Sequence, residues 1–405
     1  MGAGRPLEGI RVADFTWVWA GPFCTLQLAH LGAEVIRIET ASRPCVTRML
    51  PPWLDGKPGI NRSGYFNQYN QGKLSLSLDL KQPRAVEIAK ELVAQSDIVC
   101  ENFAAGVMVR FGLGYEVLSQ VKPDIIMIAM SGYGASGPEH EYVSYGPAQV
   151  PLSGMSSLTG YSGWPPMHVG ISYGDPTGGL HGAFAVLAAL LYRQRTGKGQ
   201  FIDLSQQETS IAVLPEGVLA QTMNGEQPPR SGNRDPWMAP HGVFRCAGEQ
   251  RWVSLAVRND KEWHRLASAI GNAALADDKR FSSLQARKAN EDELEKIITA
   301  WTLQHSPEDI TEVLQGIEIA SFPAFNSQDL SDDPHLNRAG AFVELEHPEV
   351  GRLRHIGMPW RMLGTPCAVE RPAPCLGQHT DYVMSEILGH SDGEIAELKS
   401  AGVLR

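Results

Sequence analysis

The chain has 405 residues, 43% hydrophobic and 20% charged, with a formal net charge of −10. That length holds two or three domains with large cores, and the composition is that of an ordinary water-soluble globular protein. The acidic balance leaves no basic stripe to neutralise phosphates, which excludes a general nucleic-acid binder.

Ile10–Phe15 reads as an apolar strand, Gly21–Gly32 as a helix and Ala33–Glu39 as a second strand. Strand, helix, strand at this spacing is a βαβ unit and implies a parallel sheet. The loop between, Thr-Trp-Val-Trp-Ala-Gly-Pro, is not Gly-x-Gly-x-x-Gly, so a nicotinamide enzyme is disfavoured. Thr40–Gly64 is rich in Pro and Gly and reads as a long loop carrying Arg43, Arg48, Trp53 and Lys57. Lys73–Leu80 alternates like a strand, and Pro83–Gln95 is an amphipathic helix. Asp97–Cys100 and Asp124–Met130 are short buried strands, the second continuously apolar as parallel strands are. The Gly-rich loop Ser131–Gly137 then falls at a strand's carboxyl end, where open α/β sheets bind ligands.

Ser172–Gly199 carries the least ambiguous helix. Leu180, Phe184, Leu187 and Leu191 recur at helical spacing, with alanines between, so the helix is expected to be apolar nearly all round and buried. Asp175 before Pro176 reads as an N-cap followed by proline at the first helical position, and Gly197 ends the helix. The plain reading of Asp175 is that cap. The sharper one notes that Gly174, Gly178 and Gly179 strip side chains from around the carboxylate. Helix N–H groups would keep it ionised, which suits a carboxylate nucleophile attacking a carbonyl.

Phe201–Ser205 is a further strand and Gln206–Met223 a helix. Asn224–Pro240, with Pro228, Pro229, Gly232, Pro236 and Pro240, marks a linker. Gly242–Val257 reads as a hairpin, followed by helices at Lys261–Ile270, Asn290–His305 and Pro307–Gly316, a smaller α+β unit. Phe342–Ile356 is a second hairpin turning at His347–Gly351, and the tail is helical over Thr380–Gly389 and Asp392–Ala401.

Other chemistries find little support. Cys24, Cys45, Cys100, Cys246, Cys367 and Cys375 form no Cys-x-x-Cys pair, so neither a zinc knuckle nor a thioredoxin-type motif is indicated. His379 with Asp381 and His390 with Asp392 sit beside exposed helices and read as surface groups, so no metal is expected. No Gly-x-Ser-x-Gly elbow is present. No run is long enough to span a membrane, and the N-terminus lacks a signal-peptide core, so the expected location is cytoplasmic, with reduced thiols.

Taken in order, several segments resemble the family III CoA-transferases, the CaiB/BaiF family that contains formyl-CoA transferase and carnitine CoA-transferase. They are Pro-Leu-Glu-Gly-Ile-Arg-Val (6–12), Ala-Gly-Pro-Phe (20–23), Leu-Gly-Ala-Glu-Val-Ile-Arg-Ile-Glu (31–39) and Glu-Asn-Phe (101–103). Further along come Ser-Gly-Tyr-Gly (131–134), Gly-Asp (174–175), Arg-Thr-Gly-Lys-Gly-Gln (195–200) and Leu-Gly-Gln-His-Thr (376–380). Any one is weak; their order and spacing carry the resemblance over nearly the whole chain.

The resemblance implies an α/β fold with a large Rossmann-like domain built from both ends of the chain, residues 1–223 and 329–405. It implies a small α+β domain at 224–328 and two ring-like protomers interlocked as a homodimer. Asp175 falls at the position of the family's nucleophilic aspartate, which passes through an acyl anhydride and an aspartyl-CoA thioester. Val18, Trp19, Ala20, Asn102, Phe103, Arg110 and Tyr133 match positions around bound CoA. Acyl-CoA and a carboxylic acid are the implied substrates, with no permanently bound cofactor and neither nucleic acid nor membrane as partner. Formyl-CoA transferases carry glutamine at Trp19, a basic residue at Ser131 and arginine at Thr40, and a glycine run that this chain lacks. With Trp164, Pro165, Pro166 and Met167, those departures point to an acid larger and more apolar than oxalate. Two other readings stay open: an α-methylacyl-CoA racemase, although the Val143–Ala148 region lacks the histidine of that enzyme's Gly-His-Asp motif, and a non-catalytic CoA-binding subunit.

Overall fold

Short apolar runs buried on both faces can satisfy their backbones only in the interior of a sheet flanked by helices. In the structure, a computed structural model describing residues 4–405, they do so. The first three residues of the stretch read for a signal peptide lie outside the described residues. Strands β1 (Arg11–Asp14), β2 (Glu34–Glu39), β3 (Leu74–Ser77), β4 (Ile98–Glu101), β5 (Ile126–Ser131) and β6 (Gln200–Ser205) form one sheet in the order β3-β2-β1-β4-β5-β6. All neighbours are parallel, from Ile36↔Leu74 at one edge to Ser131↔Ser205 at the other. This is the strand order of the Rossmann fold, and it reverses between β1 and β4.

Alternation along the strands feeds a core on each face. Ala13, Ile36 and Val99 pack with Ile88, Leu92 and Val93 of the Pro83–Ala94 helix and with Val383, Ile395 and Leu404 of the C-terminal segment. Val12, Val35 and Ile128 pack with Cys24 and Leu28 of the Ala20–His30 helix and with Ala183, Val186 and Ala189 of the Gly174–Thr196 helix.

The Gly174–Thr196 helix corrects two expectations. Its inward face is made of small residues, whereas Leu180, Leu191 and above all Phe184, 73% accessible, are exposed. The reason is close approach: a Cβ on Gly179 would sit 2.7 Å from the Ala20 carbonyl oxygen, and one on Gly182 2.7 Å from Met130 Sδ. Larger side chains therefore cannot face the neighbouring helix and sheet. The helix also starts two residues earlier than read: Tyr173 precedes it, and Asp175 lies inside the first turn with no capping hydrogen bond. Gly197, at φ 72°, does end it, its N–H bonded to Arg193 O at 2.8 Å. The helix read over Gln206–Met223 is two, Gln206–Ile211 and Pro215–Asn224, because Pro215 has no N–H to continue the ladder.

The described chain divides into two compact units: the larger holds residues up to 156, 168–227 and 338–405, and the smaller 157–167 and 228–337. In the smaller, β7 (His241–Arg245), β8 (Trp252–Ala256) and β9 (Ala320–Pro323) form an antiparallel sheet. Its core joins Val253 and Leu255 to Trp263, Leu294, Ile298 and Leu314 of the helices Asp260–Ala269, Glu291–Thr302 and Pro307–Gly316. The larger unit's hairpin pairs β10 (Phe342–His347) with β11 (Gly351–Ile356). No helix among the described residues is long and apolar enough to cross a membrane.

Candidate active site

The order reversal between β1 and β4 leaves a crevice at their carboxyl ends, and both following loops are held there. Asn102, just after β4, clamps the loop after β1: its Oδ1 accepts the Trp17 N–H at 2.6 Å and its Nδ2 donates to Trp17 O at 2.8 Å. Val18 follows at φ 63°, a conformation costly for a β-branched residue, and donates its N–H to Cys45 Sγ at 3.3 Å. Below the loop, the fully buried Lys73 ammonium donates to Pro22 O at 3.0 Å, Thr25 Oγ1 at 2.7 Å and Asn70 Oδ1 at 3.0 Å, and lies 3.3 Å from Asp14 Oδ2. Asp14 in turn accepts the Thr16 N–H at 2.9 Å. A buried ionic network thus fixes the backbone that starts the Ala20–His30 helix.

A cavity of about 390 Å³ opens on this crevice. Trp17, Val18, Asn102 and Phe103 line it, together with Ser131 at the end of β5 and Gly132 after it, and Asp175 stands in its wall. The Asp175 carboxylate is 8% accessible and takes the N–H of Ala20, the first residue of the other helix. A Cβ on Gly146 would fall 1.8 Å from Asp175 Oδ2, so only glycine leaves room for the carboxylate there. Gly174, Gly178 and Gly179, which the sequence suggested would open the site, instead admit Gln149, Gln206 and the Ala20 carbonyl.

Electrostatics correct a further expectation. Burial pushes Asp175 up to about 7, and only the Ala20 N–H opposes it, so the carboxyl is not held ionised by its own helix. Around the cavity, the buried atoms Gln149 Oε1, Gln206 Oε1 and Ser131 Oγ have no hydrogen-bond partner among the described residues. Glu39 also lines the cavity, but burial, which alone would raise it, is outweighed by Arg48 and Arg37, and its pKa is about 2. Glu101, at the end of β4, is pushed up to about 8 by burial, against the Phe103 N–H it accepts at 2.7 Å.

The residues singled out in the sequence separate on inspection. Val18, Asn102, Phe103 and Asp175 meet in the cavity, and Ala20 reaches it through its N–H. Trp19 is absent from the lining and packs on Tyr65 and Tyr69. Tyr133 stands behind Tyr142, rings 6.0 Å apart, and Tyr142 is the one that lines the cavity. Arg110 is exposed and off the lining, although Val107 and Phe111 beside it belong to it. Trp164 lies in the smaller unit, its ring 6.0 Å from Tyr161 and its carbonyl accepting from Arg230 Nη2 at 2.7 Å. His379 takes the Ser75 N–H at 3.2 Å, and His390 lies 2.7 Å from Glu91.

Sequence reasoning passed over Gly146, Gln149 and Arg43. Arg43 sits over the Trp17 ring, 5.4 Å from its centroid, and with Lys81 supplies cations to the cavity lining. The only signal for Arg43 was its place in the loop just past Thr40, where relatives carry an arginine. Gly146 gave none, because its neighbour in space is Asp175, far along the chain.

The sequence model of CoA-transferase family III matches residues 7–380. Succinate–glutarate CoA-transferase of Agrobacterium fabrum is 33% identical over 384 residues, covering 94% of this chain and 96% of that protein. Succinyl-CoA–D-citramalate CoA-transferase of Chloroflexus aurantiacus is 31% identical over 401 residues, covering 99% and 98%. Among solved structures, a CaiB/BaiF family protein from Brucella suis superposes with a TM-score of 0.87 at 29% identity, over 95% of this chain and 100% of that one.

Proposed function

This chain belongs to CoA-transferase family III, and from that premise we propose that it moves CoA from an acyl-CoA donor to a carboxylic acid by covalent relay through Asp175. The observation that carries the reading is a buried carboxylate, unpaired with any cation among the described residues, in the wall of a cavity whose rim bears Arg43 and Lys81. Phosphate and pyrophosphate groups of CoA fit that rim, and the thioester end fits the wall.

An Asp175 oxygen attacks the thioester carbonyl carbon; the C–O bond forms, the C–S bond breaks, and CoA leaves as thiolate. The thiolate then attacks the Asp175 carbonyl carbon of the mixed anhydride, releasing the donor acid as its carboxylate. An acceptor carboxylate attacks the resulting aspartyl thioester and expels the thiolate, giving a second anhydride. Attack of thiolate on the acceptor's carbonyl carbon yields the new acyl-CoA and restores the Asp175 carboxylate, with no net proton change. Desolvation favours the first step, since the carboxylate loses an unfavourable buried charge as it becomes an ester-like group. The Ala20 N–H stands beside the same carboxyl and can donate to the oxyanion of each tetrahedral intermediate at Asp175.

Assembly as an interlocked homodimer is part of the proposal. It is supported by the apolar face of the Gly174–Thr196 helix, where Leu180, Phe184 and Leu191 are exposed. Sedimentation at nanomolar concentration tests it: an interlocked pair stays dimeric, and a monomer overturns it. A cytoplasmic site of action is supported by cysteines that are all free among the described residues.

Succinyl-CoA is the first donor to test, because two similar proteins are named for it or its acid. Incubated with the wild-type protein, it should leave a covalent adduct on the peptide containing Asp175, trapped by hydroxylamine or borohydride. No adduct with succinyl-CoA or any other donor that supports turnover would overturn the reading.

A further inference from the structure

Trp17 and Trp19 flank the strained Val18, and their side chains part company there. Trp17 faces the cavity beside Phe103, ring centroids 6.2 Å apart. Trp19 turns to a second aromatic group: Tyr65 at 5.8 Å and Tyr69 at 5.2 Å, which are 5.3 Å from one another, with Phe23 5.8 Å from Tyr69. None of these four lines the cavity. Asp175 borders both neighbourhoods, since the N–H it accepts belongs to Ala20, the residue next to Trp19.

The second neighbourhood is built and held. Tyr65 and Tyr69 are four residues apart on the Gly64–Tyr69 helix, so their rings share one face. Ser63 caps that helix, accepting the Phe66 N–H at 3.2 Å, and Phe66 is buried with the Arg48 guanidinium 3.6 Å from its ring centroid. The faces of the cluster are apolar, but its polar atoms are all hydrogen-bond donors with capacity to spare. Trp19 Nε1 is buried without a partner among the described residues, and neither tyrosine hydroxyl is bonded to another described residue. Burial first, and the Asp175 charge second, raise both hydroxyls, Tyr69 to about 12, so both remain protonated donors at neutral pH.

Resting on the Asp175 reading, we propose that Trp19, Tyr65 and Tyr69 hold the acyl group during transfer and select short acids bearing a second carboxylate. Ring faces suit a methylene chain, and three hydrogen-bond donors without a partner among the described residues suit the lone pairs of a distal carboxylate. Once Asp175 is acylated or carries CoA it has no charge, so that carboxylate meets no negative neighbour there. An aliphatic acid of equal length would leave the donors facing an apolar end, which is the costly mismatch.

The test uses succinyl-CoA as common donor and two competing acceptors: glutarate, and its isostere with an isopropyl group in place of the distal carboxylate. The ratio of their kcat/KM values cancels effects on donor binding, CoA binding and folding. Wild type should favour glutarate by on the order of a hundredfold or more. Tyr65→Phe and Tyr69→Phe, which keep the rings, should each shrink the ratio by roughly tenfold. An unchanged ratio in both variants overturns the proposal, as does a wild type that accepts the isostere equally well or takes neither acid. Adduct formation on Asp175 separates the levels: an adduct with a flat ratio removes only this inference, and no adduct with any donor removes the relay and this inference together.

Discussion

Glu39 and Asp175 are both buried carboxylates of the larger unit, 4% and 8% accessible, and both border the same cavity. Burial alone would raise both. Glu39 nevertheless sits at about 2, because Arg48 grips it with two hydrogen bonds of 2.9 and 2.7 Å, Arg37 stands 3.3 Å away and Ser75 Oγ donates at 2.9 Å. Asp175 has one backbone N–H and sits at about 7. The first carboxylate is committed to holding the Thr40–Gly64 segment on the sheet; the second has no charged partner among the described residues. A paired buried charge is a structural tie, and an unpaired one costs stability that only function explains.

The largest effect expected from that contrast is at Asp175. In the proposed relay, Asp175→Asn removes the attacking anion, so transferase activity should fall by several orders of magnitude in a coupled assay. The same change should raise stability. Between the unfolded pKa near 4 and the folded value of about 7, the native state holds a proton the unfolded chain has lost, so stability falls as pH rises through that window. Asparagine carries no such penalty, and denaturation at pH 8 should show a gain of about 2–4 kcal/mol that vanishes at pH 4. Loss of stability in Asp175→Asn at pH 8 would show that the carboxylate is a structural tie after all.

Arg48→Met attacks the other side of the comparison. It leaves Glu39 buried with only Arg37 beside it, and should cost about 3–5 kcal/mol in denaturant unfolding. Wild-type Glu39, with its depressed pKa, contributes stability above about pH 4.5 that is lost as pH falls towards 2. Adding Glu39→Gln to Arg48→Met should recover little of the loss, since the fully buried Arg37 then loses the carboxylate it is ion-paired with. An Arg48→Met variant as stable as wild type would mean that the pair is dispensable and the contrast with Asp175 is one of degree.

A smaller effect follows from the Asp175 value itself. In the proposed relay the reacting form is the carboxylate, so adduct formation at saturating donor should climb about tenfold per pH unit below 7 and level off above it. Single-turnover rates between pH 5 and 9 check this. A rate already flat from pH 5 would place a cation near the carboxyl in the reacting complex.

Much of this was legible before the fold was known, and the omissions have a common cause. Continuous apolar runs such as Ile126–Ser131 declared parallel strands, and Gly197 declared a helix end, because both depend on local chemistry. The outward turn of Phe184 did not show, since helical periodicity reports a stripe and not the small-residue face that a neighbouring helix requires. Arg48 read as one more loop cation because Glu39, which buries it, lies on β2. Asp175 could be picked out from its glycine-rich setting, but not its pKa, which depends on what the tertiary structure keeps away from it. Gly146 comes to the site, and Tyr65 and Tyr69 to the neighbourhood of Asp175, from remote segments that carry no local mark.

The smallest expected effect separates two arginines that the sequence ranked the other way. Arg110 matches a position around bound CoA in relatives, yet its side chain is exposed and off the cavity lining. Arg43 was only a loop residue, yet it lines the cavity and is set over Trp17. A guanidinium held against an aromatic face beside a cavity loses less freedom and less hydration on meeting a phosphate than one in open solvent. Arg43→Ala should therefore weaken CoA binding by about 1–3 kcal/mol in calorimetry. Arg110→Ala should cost about 0.2–1 kcal/mol and lose even that as salt is raised. Arg43→Lys keeps the charge but not the planar stacking group, and should fall between Arg43→Ala and wild type. If instead Arg110→Ala costs more than Arg43→Ala, the phosphates lie on the outer side of the Val107–Arg110 turn, and the basic rim at Arg43 and Lys81 is not where CoA is held.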